Sequence, residues 1–160
     1  MTIFPFLIIT TLIVIAFFIQ KNSYAQTVKQ LETLRSQSVE KIIHEKKSVK
    51  SRTFTIGRKN NSYHFRKCDL IFLEKSLAIV PFYNIGKYKI YSNFFLITGD
   101  TIVGIAKLNR FDLNASGDDV RIEFGQAGFT TVNVEIRLKN LTQDEKKLIK
   151  IPEIPSRKYS

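Results

Sequence analysis

Residues 112–123 read Asp-Leu-Asn-Ala-Ser-Gly-Asp-Asp-Val-Arg-Ile-Glu, and oxygen-bearing side chains fall at loop positions one, three, five and twelve. Asp112, Asn114, Ser116 and Glu123 fill those positions, with Gly117 at the sixth. A calcium ion takes about six to eight oxygens, and one loop with this spacing supplies most of them. Three features oppose the metal. The flanks alternate like strands and lack the helices such a loop joins. Asp119 stands where an apolar residue usually pairs two loops, and Glu123 alternates with Ile122 as a solvent-facing strand residue. A hairpin turn rich in Asn, Ser, Gly and Asp accounts for the same residues.

The other reactive residue types are sparse. His44-Glu45 is half of a zinc-protease helix motif, but no second histidine follows four residues later. With His64 the only other histidine and Cys68 the only cysteine, a zinc site lacks ligands. Gly125-Gln126-Ala127-Gly128 lacks the lysine and the following helix of a phosphate loop. Asp118 and Asp119 are adjacent, so on a strand they face opposite ways and form no carboxylate pair. Cys68 precedes an apolar run and reads as structural; a lone cysteine makes no intramolecular disulfide, which favours the cytosol. No acid, base and nucleophile set remains, so the expectation is a non-catalytic protein without metal or cofactor.

What remains is basic and aromatic. Arg58, Lys59, Arg66 and Lys67 flank the turn Asn60-Asn61-Ser62, and Lys87-Tyr88-Lys89-Ile90-Tyr91 sets two cations beside tyrosines. The net charge is +11, and residues 21–52 carry eight basic against three acidic side chains. Near an anionic bilayer each such cation is worth about 1 kcal/mol, so Arg58, Lys59, Arg66, Lys67, Lys87 and Lys89 are the candidate headgroup contacts. Single-stranded nucleic acid also suits basic and aromatic strands, but nothing else in the chain favours it.

The elements that would carry these residues follow from hydropathy. Residues 1–20 hold no charged side chain, and 3–20 are apolar apart from Thr10, Thr11 and Gln20. About eighteen helical residues rise roughly 27 Å, close to the hydrocarbon thickness of a bilayer. A transmembrane helix is therefore expected over 3–20. Lys21, Lys29 and Arg35 follow it and no charge precedes it, which puts the N-terminus outside and the C-terminal domain in the cytoplasm. Ser23-Tyr24-Ala25 offers an alternative, an exported envelope-assembly domain released by signal-peptide cleavage after Ala25. The neutral n-region and the length of the apolar run argue against that. Residues 21–52 contain no Pro or Gly, and Val28, Leu31, Leu34, Val39, Ile42 and Ile43 recur near helical spacing. This predicts a helical juxtamembrane connector, with self-association through its apolar edge as one use.

From 53 to 151 the period changes to that of strands. Leu70-Ile71-Phe72-Leu73 and Leu77-Ala78-Ile79-Val80-Pro81-Phe82 flank a short polar turn and predict a hairpin. Further strands are expected over 87–91, 94–98 and 102–108. Val120, Ile122, Phe124 and then Val132, Val134, Ile136, Leu138 alternate with polar residues, giving one buried and one wet face. Thr142-Gln143-Asp144-Glu145 is a capping box opening a helix that Pro152 stops, and Leu148, Ile149 and Ile151 are its packing residues. Residues 152–160 form a tail.

Cys68 to Phe72, Ser76 to Phe82 and Val134 to Thr142 resemble segments of small bacterial membrane proteins carrying a pleckstrin-homology-like (PH/GRAM-like) domain. The resemblance covers about residues 66–150 and lies in hydrophobic patterning. It implies a mainly-β domain, a seven-stranded antiparallel barrel with a C-terminal capping helix, whose fold hosts lipid, peptide and protein binders alike and so transfers no activity. The sequence thus predicts a single-pass, membrane-anchored binding or scaffold module contacting lipid headgroups or a membrane-protein partner.

Overall fold

The computed structural model describes residues 25, 29, 40–56, 63–86, 88–103, 105–115, 119–126 and 132–155. The expected transmembrane helix over 3–20 lies outside them, as does most of 21–41; Ala25 and Lys29 are helical. Among the described residues no helix is long and apolar enough to cross a membrane. The chain divides into two compact units, Met1–Ser38 and Val39–Ser160.

The second unit is mainly β. Its strands are β1 (Ile42–Ile56), β2 (Lys67–Leu73), β3 (Ser76–Ile85), β4 (Tyr88–Tyr91), β5 (Phe95–Thr98), β6 (Thr101–Ile102), β7 (Ala106–Ala115), β8 (Asp119–Gln126) and β9 (Val132–Leu138), followed by helix α1 (Gln143–Leu148). All pairings are antiparallel and run in the order β2-β1-β9-β8-β7-β6-β5-β3-β4, with β2 also pairing β3. That last pairing returns the ladder to its beginning, and every two consecutive strands except β4 and β5 are hydrogen-bonded to each other. β4 and β5 pair successive stretches of the same edge of β3, Phe82 to Ile85 and Ser76 to Ile79 respectively.

β1 corrects the expected helix over 42–52 and moves the start of the β domain from 53 back to Ile42. Its first half pairs β2 and its second half, from Ser51, pairs β9. The register slips between Lys46 and Val49, where Ser48 has φ 60°. A residue in the left-handed region at a bulge bends a strand and increases its twist, so one strand serves two sheet segments. The Ser48 N–H donates to Asp69 Oδ1 at 2.8 Å, which holds the bend to β2. The expected strand over 102–108 is interrupted too: β6 ends at Ile102, a turn closed by Ile105 N–H to Ile102 O at 3.0 Å intervenes, and β7 begins at Ala106.

The predicted β2–β3 hairpin forms, with Leu70 opposite Ile79 and Phe72 opposite Leu77. Alternation in β8 and β9 reads as expected: Val120, Ile122, Phe124, Val134, Ile136 and Leu138 are all at most 1% exposed. They join Cys68, Leu70, Phe72, Leu77, Ile79, Ile97, Ile102, Leu108 and Phe111 in one core. The segment around α1 closes part of it. Thr142 and Glu145 make the predicted capping box, while Leu141, Ile149 and Ile151 are buried against the core and Leu148 packs partly on it. The expected tail from 152 is docked over its first residues, because Ile154 and Phe111 exchange backbone hydrogen bonds of 2.9 and 3.0 Å across a free edge of β7.

Candidate functional site

β1 leaves β2 at Ser51 to join β9, and a cleft opens where the two strands part. Ser51 marks the fork: its N–H donates to Arg66 O at 2.9 Å and its hydroxyl to Phe65 O at 3.3 Å. Beyond it the walls are Arg52 and Thr53 on β1, the segment His64 to Lys67, and Phe82, Tyr83 and Asn84 at the end of β3. The cleft measures about 590 Å³, the size range of pockets that take small ligands.

Its chemistry is one-sided. Arg52, Arg66 and Lys67 line it and are exposed, His64 is beside them, and no Asp or Glu is among the described lining residues. The Arg52 guanidinium carbon sits 4.7 Å from the Phe54 ring centroid, a cation–π contact that orients the charge without neutralising it. Arg137 approaches the same ring at 5.4 Å but is ion-paired with Glu135. The His64 ring and the Thr55 hydroxyl are hydrogen-bonded at 3.3 Å, and the Tyr83 hydroxyl donates to the His64 carbonyl. These contacts fix the segment that carries Arg66 and Lys67. Exposed Arg66 and Lys67, with Arg52 at the strand edge, give the cleft the charge-assisted donors that an oxyanion takes.

Of the six headgroup contacts expected from sequence, the structure brings Arg66 and Lys67 to this cleft. Arg58, Lys59 and Lys87 lie outside the described residues. Lys89 is not among the residues that line the cleft. Its Nζ lies 2.8 and 2.7 Å from the two oxygens of Asp69 and 3.9 Å from the Phe82 ring centroid. Tyr91 Oη donates to the same carboxylate at 3.2 Å. Asp69 is 9% exposed, so Lys89 serves as the counter-ion of a nearly buried carboxylate and offers little to a ligand. Arg52 and His64 were not singled out from sequence. Arg52 falls in the expected helical connector, and His64 reads from sequence as a surface histidine.

The described side chains of the calcium-like loop do not converge. Asp112 pairs with Arg110 at 3.0 Å, Asn114 Oδ1 accepts from the Lys146 ammonium at 3.4 Å, and Glu123 pairs with Arg121 at 2.5 Å. Lys146 is 3% exposed, so α1 sends a buried cation to a loop oxygen that a calcium ion would need. Among the described residues no group of acidic, histidine or cysteine side chains has the arrangement of a metal site. Cys68 is fully buried, and burial, followed by the neighbouring Asp69, pushes its thiol well above the ordinary range. That keeps it an unreactive thiol. No family model, curated protein or solved structure matches the chain.

Proposed function

We propose that this chain is a membrane-anchored, non-catalytic binding module that takes anionic lipid headgroups in the cleft between β1 and β2. The observation that carries the reading is the set Arg52, Arg66 and Lys67 lining one concavity, with no carboxylate among the described lining residues. A PH-like architecture for the β domain is part of the proposal. It is supported by a ladder that runs in sequence order and returns to β2, and by the C-terminal helix packed on the core. Counting β4 with β5, and leaving out the two-residue β6, gives the seven strands that the resemblance implies. The apolar segment 3–20 would hold the domain at the cytoplasmic face, and any self-association of the connector falls to 21–41, since 42–52 belongs to β1.

Residues 39–160 test this without the anchor. Flotation with phosphatidylcholine vesicles should leave the domain in the soluble fraction, and added phosphatidylglycerol should carry it up. Arg66→Glu with Lys67→Glu should abolish the difference. Binding that ignores lipid charge, or survives the double reversal, would refute the reading.

A further inference from the structure

We propose that the free edge of β7 is a docking site for an extended strand of a partner protein, held shut in this chain by its own C-terminal residues. The surface is separate from the cleft and does not depend on the reading given to it. β6 covers this edge only at Ala106 and Lys107, and the Leu108 N–H is taken by Asp100 O at 2.7 Å. Beyond that point the described pairing on the edge is Phe111 with Ile154, each N–H donating to the other's carbonyl. The two form a hydrogen-bonded pair of an antiparallel ladder, and the next such pair along it is Leu113 with Pro152. Proline has no N–H to give the Leu113 carbonyl. The Leu113 N–H goes instead to the exposed Glu153 carboxylate at 3.3 Å, a long bond.

The tail is therefore a strand cut to its minimum. Ile154 supplies an aliphatic side chain half-buried against the core, as are Leu113 of β7 and Leu148 of α1. A strand from another protein, with an aliphatic residue at the place of Ile154 and an N–H at the place of Pro152, makes the same backbone bonds and one more. Strand addition draws its affinity from such main-chain bonds and its specificity from alternate side chains. The edge also limits the size of its occupant. It runs from Phe111 to Ala115, Asp100 closes one side, and at the other α1 reaches Asn114 through Lys146 at 3.4 Å. A single extended segment fits between these limits, whereas a second copy would bring a whole sheet against them.

The test uses the full chain in neutral detergent micelles, with empty micelles as the blank. The probe is a fluorescein-labelled peptide, Lys-Ile-Val-Glu-Ile-Val-Ser-Arg-Lys, which copies residues 150–158 with valine for both prolines. Ile154→Pro removes the N–H bonded to Phe111 O and should bind the peptide roughly tenfold more tightly than the unaltered chain. Pro152→Val supplies the N–H that faces Leu113 and should bind it roughly fivefold more weakly. The peptide should shift the amide resonances of Phe111 and Leu113, and N-methylation of its central isoleucine should abolish binding. Circular dichroism checks that each variant is folded; should Ile154→Pro not fold, the Pro152→Val comparison decides by itself. Equal affinity for all three chains, binding that survives N-methylation, or no binding at all overturns the proposal. An Ile154→Pro chain that dimerises in sedimentation without peptide gives the edge to a second copy and overturns the partner assignment.

Discussion

Asp69 shows what a single residue does in this fold. Its carboxylate accepts from Lys89, from Tyr91 and from the Ser48 backbone N–H, joining β2, β4 and the β1 bulge. Replacing it by alanine strands a half-buried ammonium and frees a backbone donor, which should cost about 2–4 kcal/mol in urea denaturation of residues 39–160. Lys89→Met keeps the hydrocarbon stem over Phe82, so the double variant should recover part of that loss; a strictly additive cycle would show that the pair is not coupled. Ser48 predicts the opposite sign. Its φ of 60° strains an L-residue, and Ser48→Gly retains the N–H bonded to Asp69. A gain of up to about 1 kcal/mol should appear as a higher denaturation midpoint. Glu145 links stability to pH. Burial works to raise its carboxyl, but the Lys46 ammonium at 2.7 Å and the Thr142 backbone N–H outweigh burial and hold it below the ordinary value of 4.5. A depressed folded value means the contribution is present above about pH 4.5 and is lost as pH falls through the folded value. Glu145→Gln should therefore lower stability at neutral pH, leave it little changed once the wild-type carboxyl is protonated, and flatten the acid dependence between, as read by urea denaturation across that window.

At the scale of elements, legibility tracked how apolar the inward positions are. β8 and β9 place Val, Ile, Phe and Leu at every second residue, and the capping box of α1 is local chemistry, so both could be read directly. β1 could not. Its inward positions after the bulge include Ser51, Thr53 and Thr55, the slip at 46–49 breaks the period, and Ile42 and Ile43 extend an apparently helical spacing. Pairing with β2 and β9 overrides that local preference. The cleft was half legible for the same reason. Arg66 and Lys67 flank a visible strand, whereas Arg52 reaches the site only because β1 is extended and changes partner beside it. The outer face of β8 and β9 carries a related lesson. Arg121 opposes Arg137 and Glu123 opposes Glu135, like-charge pairs that would repel. The Arg121–Glu135 bridge at 2.7 Å runs diagonally between the two rows and offsets this. The position of β1 makes a sharp prediction about boundaries. A fragment starting at 53 loses the half of β1 that pairs β2 together with Ser51, so it should be unfolded by circular dichroism and amide exchange. A fragment starting at 39 should be folded, and equal behaviour of the two would contradict the role of β1.

At the scale of the whole molecule, the question is what a shallow basic cleft accomplishes on a chain with an expected anchor. Arg52, Arg66 and Lys67 contribute on the order of 3 kcal/mol against an anionic surface if each is worth about 1. That corresponds to millimolar affinity or weaker, too little to recruit a free domain to a membrane. With the proposed anchor a tether would change the arithmetic, because a site held beside a bilayer meets headgroups at an effective concentration that is itself about millimolar. Partly occupied, readily exchanging contacts would follow, which suits orienting a domain on the surface or exchanging lipid for a protein partner. The division of labour is testable. Residues 39–160 should bind phosphatidylglycerol vesicles only at millimolar lipid, and that binding should fall steeply between low and physiological salt as the Debye length drops toward about 8 Å. The full chain should stay in the membrane fraction at high salt, held by 3–20, and deletion of 3–20 should release it. Tight, salt-insensitive binding by 39–160 would instead require a contact deeper than three surface cations provide. The anchor would then be redundant to the lipid interaction.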